Sequence, residues 1–301
     1  MSDFVRLNGS ICTFNGSDSW VILSPIEQSI KNKIESIGTP LRDWDINIYR
    51  GVLTGYNDAF IIDTTKRDEI LANCKTEDEL KRTTELIRPI LRGRDIKRYG
   101  YDWANLWLIY VPWHFPLQAD AAIQGASEKA EQTFMELYPT IYAHLLQYKL
   151  QLSARNKAET GIRYEWYAMQ RWGANYSDDF NKPKITWGNL NLTAAYALVP
   201  EGYIINAPSP FIAVENHALA LLHILNSKVA DYYIRTLGVT RNGGYFEYKP
   251  MFVEQLPVPK DGLDELDKYP LNPTDEQKKE IEQLICELYN LTDSEKNLLR
   301  K

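Results

Sequence analysis

Cysteine, histidine and phosphate-cradling glycine loops are all scarce in this sequence, and each scarcity removes a class of protein. The 301 residues hold three cysteines, Cys12, Cys74 and Cys286. Odd in number and far apart, they fit neither a disulfide framework nor a metal knuckle, so a reducing cytoplasm is the expected compartment. The opening MSDFVRLNGS has no apolar h-region, and the apolar stretches are interrupted by Pro112, Pro116 or Asn-Gly. Neither a signal peptide nor a membrane span is expected. There is no GxGxxG, no GxxxxGK[ST] and no GxSxG, hence no sequence sign of a dinucleotide fold, a P-loop or a nucleophile elbow. The four histidines, His114, His144, His217 and His223, have no cysteine at ligand spacing. His217 and His223 sit on one expected helix but six residues apart, which does not align them on one face. Asp264 to Asp267 reads as a solvated acidic patch, so no metal site and no catalysis by this chain alone are expected.

Apolar residues are plentiful, 44% of the chain, with 8 Trp, 19 Tyr and 9 Phe, enough for a substantial core in one or two domains. The formal net charge is -6, from 34 basic and 40 acidic residues, and taken alone argues against a nucleic-acid partner. Its distribution says otherwise. Glu254 to Lys301 carries 12 acidic and 7 basic residues, nearly the whole excess, while Arg88 to Arg98 holds five basic and one acidic residue and Lys149 to Arg171 five and two. Local basic strips are therefore available to bind phosphate.

Helix signals are local and clear. Ser24 and Glu27 form a capping box with Pro25 at the first helical position, Ile26, Ile30, Ile34 and Ile37 follow at helical spacing, and Gly38 ends the run, which predicts a helix lying on a sheet. Thr76 with Glu79 and Thr274 with Gln277 repeat the pattern, Ala126 to Leu152 reads as helix interrupted at Pro139, and Asn216 to Leu237 reads as one buried helix. Short β-like runs lie between: Ile46 to Leu53, Ala59 to Asp63, Leu106 to Val111, Lys184 to Trp187, Tyr203 to Asn206 and Phe211 to Val214. Their mixed order favours an α+β fold, with mixed sheets, packed helices and a C-terminal helical tail. The expected division is a β-rich part with terminal helices (1-150), a second α+β part (151-260), and a linker with C-terminal helices (261-301). Leu256 to Pro273, rich in proline and aspartate, reads as that linker.

Several segments in order resemble a known family. GVLTGYNDAFIID (51-63), RPILRGRDIKRY (88-99), RYEWYAMQR (163-171), LHILNSKVADYYI (222-234), YKPMFVEQLPVP (248-259) and ELYNLTDSE (287-295) together look like the TaqI-like specificity domain, the target-recognition part of Type IIG restriction-modification enzymes and related adenine-specific DNA methyltransferases. The resemblance implies a specificity-domain fold and a module that reads duplex DNA. The family's methyltransferase domain, with its S-adenosylmethionine site and Asn-Pro-Pro-aromatic motif, has no counterpart here, since Asn272-Pro273 is followed by Thr-Asp. The expectation is thus a reading module without cofactor of its own. Its partners would be double-stranded DNA and a methyltransferase domain, N-terminal to it or on a separate subunit, of an adenine-N6 methyltransferase with or without an endonuclease. The competing expectation is a protein-interaction domain that docks another restriction-modification subunit.

The candidate DNA-contacting residues follow from residue type. In Thr54-Gly55-Tyr56-Asn57 a glycine turn could present Thr54 and Asn57. Arg92, Arg94, Lys97 and Arg98 can neutralise phosphates, and Arg163 and Arg171 flank the aromatic group Tyr164, Trp166, Tyr167 and Trp172. Arg241-Asn242-Gly243-Gly244-Tyr245 is the expected recognition loop, because arginine and asparagine carry the groups that pair with guanine and adenine edges, and Lys249 follows it in the resembling segment.

Overall fold

The computed structural model describes residues 23–238 and 240–300. Cys12 and the N-terminal sequence read for a leader lie outside the described residues.

The capping signals become helices where the sequence places them. Ser24 accepts from the Glu27 amide, Glu27 returns a bond to the Ser24 amide, and the helix runs Pro25–Ile37 before Gly38 takes over. Thr76 caps Glu77–Leu86, and Thr274 with Gln277 forms a full capping box for Asp275–Leu288. Pro139 divides Glu128–Leu137 from Pro139–Leu146. Ile30 and Ile34 bury the face of the first helix, which contacts the short strand Pro257–Val258 and the terminal helix Asp293–Leu299.

One antiparallel sheet organises the interior. Its strands are, in spatial order, Tyr196–Val199, Lys184–Trp187, Pro210–Ala213 and Ile48–Arg50. Side chains alternate across a strand, and both faces of this sheet are covered. Ile185, Trp187, Tyr196 and Ile212 join a cluster built mainly of helices 218–237 and 275–299, whereas Ala197, Val199 and Phe211 join the other cluster with Val52, Phe60, Ile90, Leu108 and Tyr167. The register agrees: Tyr196 pairs with Trp187 and Ile212 with Ile185. A second four-stranded sheet has the order Ile204–Ile205, Ile87–Leu91, Leu106–Ile109, Ile61–Asp63, with the first pair parallel and the others antiparallel. The α+β expectation is met.

Three local readings need correction. Asn216 to Leu237 is two helices, Ala218–Leu225 and Lys228–Leu237, because the Ser227 hydroxyl caps the second by accepting from the Ala230 amide and Asn226 closes the first. Apolar spacing alone does not register a cap buried inside the run. Leu256 to Pro273 is packed and not a free linker: it contributes the strand Pro257–Val258 and the helical turn Leu263–Leu266, and buries Leu256, Val258, Leu263 and Leu266. Ile87–Leu91, read only as part of a basic strip, is a strand. No helix among the described residues is long and apolar enough to cross a membrane.

Candidate nucleic-acid interface

The Gly51–Asn57 segment leaves the central sheet and turns at Gly55, whose φ of +79° is the left-handed region that favours glycine. A Cβ there would come within 2.8 Å of Gln170 Oε1 and 2.9 Å of Arg155 Cδ. Thr54 is buried, 1% exposed, and its hydroxyl donates to Asn57 Oδ1 at 2.6 Å. It therefore shapes the turn and is not presented to a ligand, contrary to the expectation; Asn57 is exposed. The turn is held from beneath by Arg155, which the sequence reading overlooked. Its guanidinium donates to the carbonyls of Leu152, Thr54, Trp166 and Ala168 at 2.6 to 2.9 Å. Burial pulls its pKa down to about 10, so it stays charged at neutral pH.

Leu53 and Arg171 exchange backbone hydrogen bonds, both 2.8 Å, which sets Arg171 beside the turn. Arg171 and Arg163 both pair with Glu159 at 3.0 Å and both lie over the Trp113 ring, at 5.9 and 5.5 Å. The Arg171 hydrogen bond, with the Arg163 charge, holds the Glu159 carboxyl below its ordinary range. The two arginines remain 48% and 59% exposed, so they form a cationic surface pair with a carboxylate between them. Tyr164, Trp166 and Tyr167 are core residues. The aromatic partner of these arginines is Trp113, distant in sequence.

The basic strip 88–98 splits in several directions. Arg88 turns inward to Asn181 Oδ1 at 2.7 Å, and burial lowers its pKa. Arg92 donates from Nε and Nη2 to the two oxygens of Asp95 at 2.9 and 2.8 Å, and its amide donates to Asp95 as well. This fork is committed to closing the Gly93–Asp95 turn, which corrects its reading as a phosphate contact. Arg94 and Lys97 are exposed, with Lys97 Nζ on the Arg94 carbonyl. Arg98 points away to the Asn226 carbonyl, 2.7 Å, among the C-terminal helices.

The 241–245 loop is closed by the Arg241 amide donating to Tyr245 O at 2.7 Å, with Gly243 and Gly244 at φ +78° and +79°. Arg241 donates through Nε to Glu247 Oε1 at 2.6 Å, and Lys249 pairs with Glu247 Oε2 at 2.8 Å. Glu247 is 4% exposed; Lys249 and then Arg241 hold its carboxyl low. Asn242 and Tyr245 are exposed. A chain of contacts connects this loop to the other segments. Phe246–Glu247 pairs with Leu190–Asn191, Gly188 packs against Gly93, and Gly93 lies under Ser209 Oγ. The Ser209 carbonyl takes the Gly51 amide at 2.9 Å. This line of packed backbone forms a seam that joins the segment leading to the Gly55 turn, the Gly93 turn and the 241–247 loop.

Elsewhere His217, Asp264 and Asp267 offer ligand atoms within 4.8 Å of one another, a convergence that the sequence spacing did not show. Asp267 already accepts from His217 Nδ1 at 2.7 Å and from the Ala220 amide at 2.8 Å, so it anchors the start of the 218–225 helix.

The family model of the TaqI-like C-terminal specificity domain matches residues 88–258, more than half of the chain, and the chain belongs to that family. A solved structure of the Type IIL restriction-modification enzyme MmeI in complex with DNA is similar at 10% identity and a TM-score of 0.54, covering 84% of this chain and 34% of that one. The type IIG restriction endonuclease BpuSI aligns at 13% identity and a TM-score of 0.43, over 88% and 33% of the two chains. The chain thus spans about a third of the length of these enzymes. No curated protein matches it.

Proposed function

We propose that this chain is the sequence-reading module of a restriction-modification methyltransferase or endonuclease, binding duplex DNA and placing it before a catalytic domain on another part of the protein or on another subunit. Membership of the specificity-domain family is the observation that carries the reading, and the seam of cations and flexible loops supplies the chemistry. Arg94, Lys97, Arg163, Arg171 and Lys249 contact phosphates and set register, while Asn242, Tyr245 and Asn57 reach base edges. Arg241 steadies the loop through Glu247 and keeps 54% of its side chain exposed, so it serves both roles. Thr54 and Arg92 act by shaping turns. The catalytic domain, of adenine-N6 methyltransferase type, holds S-adenosylmethionine.

A second reading, docking of a protein subunit, draws on the exposed apolar side chains Leu190, Leu192 and Met251, each more than half exposed. Anisotropy of labelled duplex DNA titrated at 50 and 200 mM salt separates the two. Contacts to about six phosphates lower affinity by about a thousandfold over that range. Affinity for a protein partner that hardly changes with salt, with no DNA signal at 50 mM, refutes the DNA reading.

A further inference from the structure

The C-terminal segment looks acidic in sequence, yet its folded form gathers cations. A cleft of about 530 Å³ is lined by Arg98, Lys228, Lys278, Lys279, Lys296 and Arg300, with Glu282 as the one acidic lining residue among the described residues and Cys286 and Leu299 as its apolar wall. Four of the seven basic residues after Glu254 converge there with two from far upstream. The aspartates that pair with Lys278 and Lys296, at 2.9 and 3.8 Å, are 94% and 97% exposed and solvated, so they screen those lysines little. Arg98 is fixed by the Asn226 carbonyl, and Lys228 Nζ lies 3.4 Å from the Arg300 carbonyl.

Like charges brought together repel unless an anion joins them. Glu282 is the resident anion. Its two oxygens accept from the Lys228 amide at 3.0 and 3.1 Å, and burial raises its pKa despite Arg98 and Lys228 nearby. Among the described residues Arg98, Lys228, Lys279 and Arg300 form no ion pair, and Glu282 is the one carboxylate that lines the cleft with them. The cleft has the volume of a small-ligand site, too small for a duplex and ample for a phosphorylated group with an apolar or aromatic part.

We propose that this cleft binds a phosphate ester, carried either by a free nucleotide or by DNA backbone reaching its mouth. The site is distinct from the seam of loops: Arg98 belongs to the cleft and not to the reading face.

The test is calorimetric titration of the full chain with ATP and, separately, with a mixed-sequence 16-bp duplex at 50 mM salt. Lys279→Glu combined with Arg300→Glu lies on the surface, and far-UV circular dichroism confirms its fold. It is expected to weaken the affected probe at least about tenfold, since two attractive charges become repulsive. Glu282→Gln keeps one accepting oxygen for the Lys228 amide and removes the resident charge, and is expected to tighten the same probe severalfold. Loss confined to ATP assigns the site to a nucleotide, and loss confined to the duplex assigns it to backbone phosphate. A folded double variant that binds both probes as the wild type does, or a wild type that saturates with neither, overturns the proposal. A chain that binds ATP here and selects no DNA sequence upholds the cleft while refuting the reading function.

Discussion

Replacing Lys184 with Met should make the protein more stable, and by an amount that depends on pH. Lys184 lies in the central sheet and is fully buried. Its Nζ donates to the carbonyls of Phe180 at 3.1 Å and Pro200 at 3.3 Å, and among the described residues no carboxylate is paired to it. Burial, helped by the nearby Arg88 charge, lowers its pKa to about 7 from 10.5. The unfolded chain therefore holds this proton more tightly than the folded one, and the cost to folding is complete below pH 7 and fades as pH rises to 10.5. At 1.36 kcal/mol per pH unit the full cost is about 5 kcal/mol. Met occupies a similar volume and carries no charge, although the two carbonyls lose a donor, which returns about 1–3 kcal/mol. The pH dependence is unaffected by that loss. Between pH 6 and 9.5 the advantage of Lys184→Met over wild type should shrink by about 3 kcal/mol, measured by urea unfolding followed through tryptophan fluorescence. An advantage that stays constant with pH would refute the reasoning and show that Lys184 keeps its ordinary pKa in the fold.

Other expectations concern the turns and the reading face. Arg155→Met removes donors from four carbonyls and should lower stability by about 3 kcal/mol or more, seen as a fall in thermal midpoint. Gly55→Ala forces a Cβ onto Arg155 and Gln170 in a left-handed turn and should cost about 1–3 kcal/mol. Arg92→Ala should destabilise by about 1–3 kcal/mol, because Asp95, 5% exposed, loses its fork; its salt slope of DNA binding should equal that of wild type. Lys97→Ala, by contrast, should weaken all duplexes equally and reduce that slope by about one. Asn242→Ala should cost about 1–3 kcal/mol on the cognate site and much less on unrelated DNA, read by competition anisotropy.

What the sequence made legible was local. Capping boxes at Ser24 and Thr274 involve residues three apart, so their helices and limits could be read directly, as could the strand Lys184–Trp187. Tyr196–Val199 went unassigned, since it is buried on both faces and has no polar alternation to mark it. The site was legible by residue type but not by direction. Arg88, Arg92, Arg94 and Arg98 are neighbours in sequence, and the strand and turn that carry them send each to a different environment. Trp113, which lies under Arg163 and Arg171, has no sequence signature because the contact spans more than forty residues, and Glu159, although only four residues before Arg163, gives no sign in the sequence that it also holds Arg171. The basic cleft was hidden for the same reason, its cations being spread from Arg98 to Arg300, four of them within an acidic tail.

The most direct test of the reading function is selection of duplexes from a randomised pool by the purified chain at 50 mM salt, followed by sequencing, for wild type and Asn242→Ala in parallel. Enrichment of one defined motif by wild type, degraded at one or two positions by Asn242→Ala, is the outcome expected of a specificity domain whose 241–245 loop reads bases. Recovery of duplexes without any shared motif, identical for both proteins, would contradict it and leave only general attraction to phosphate.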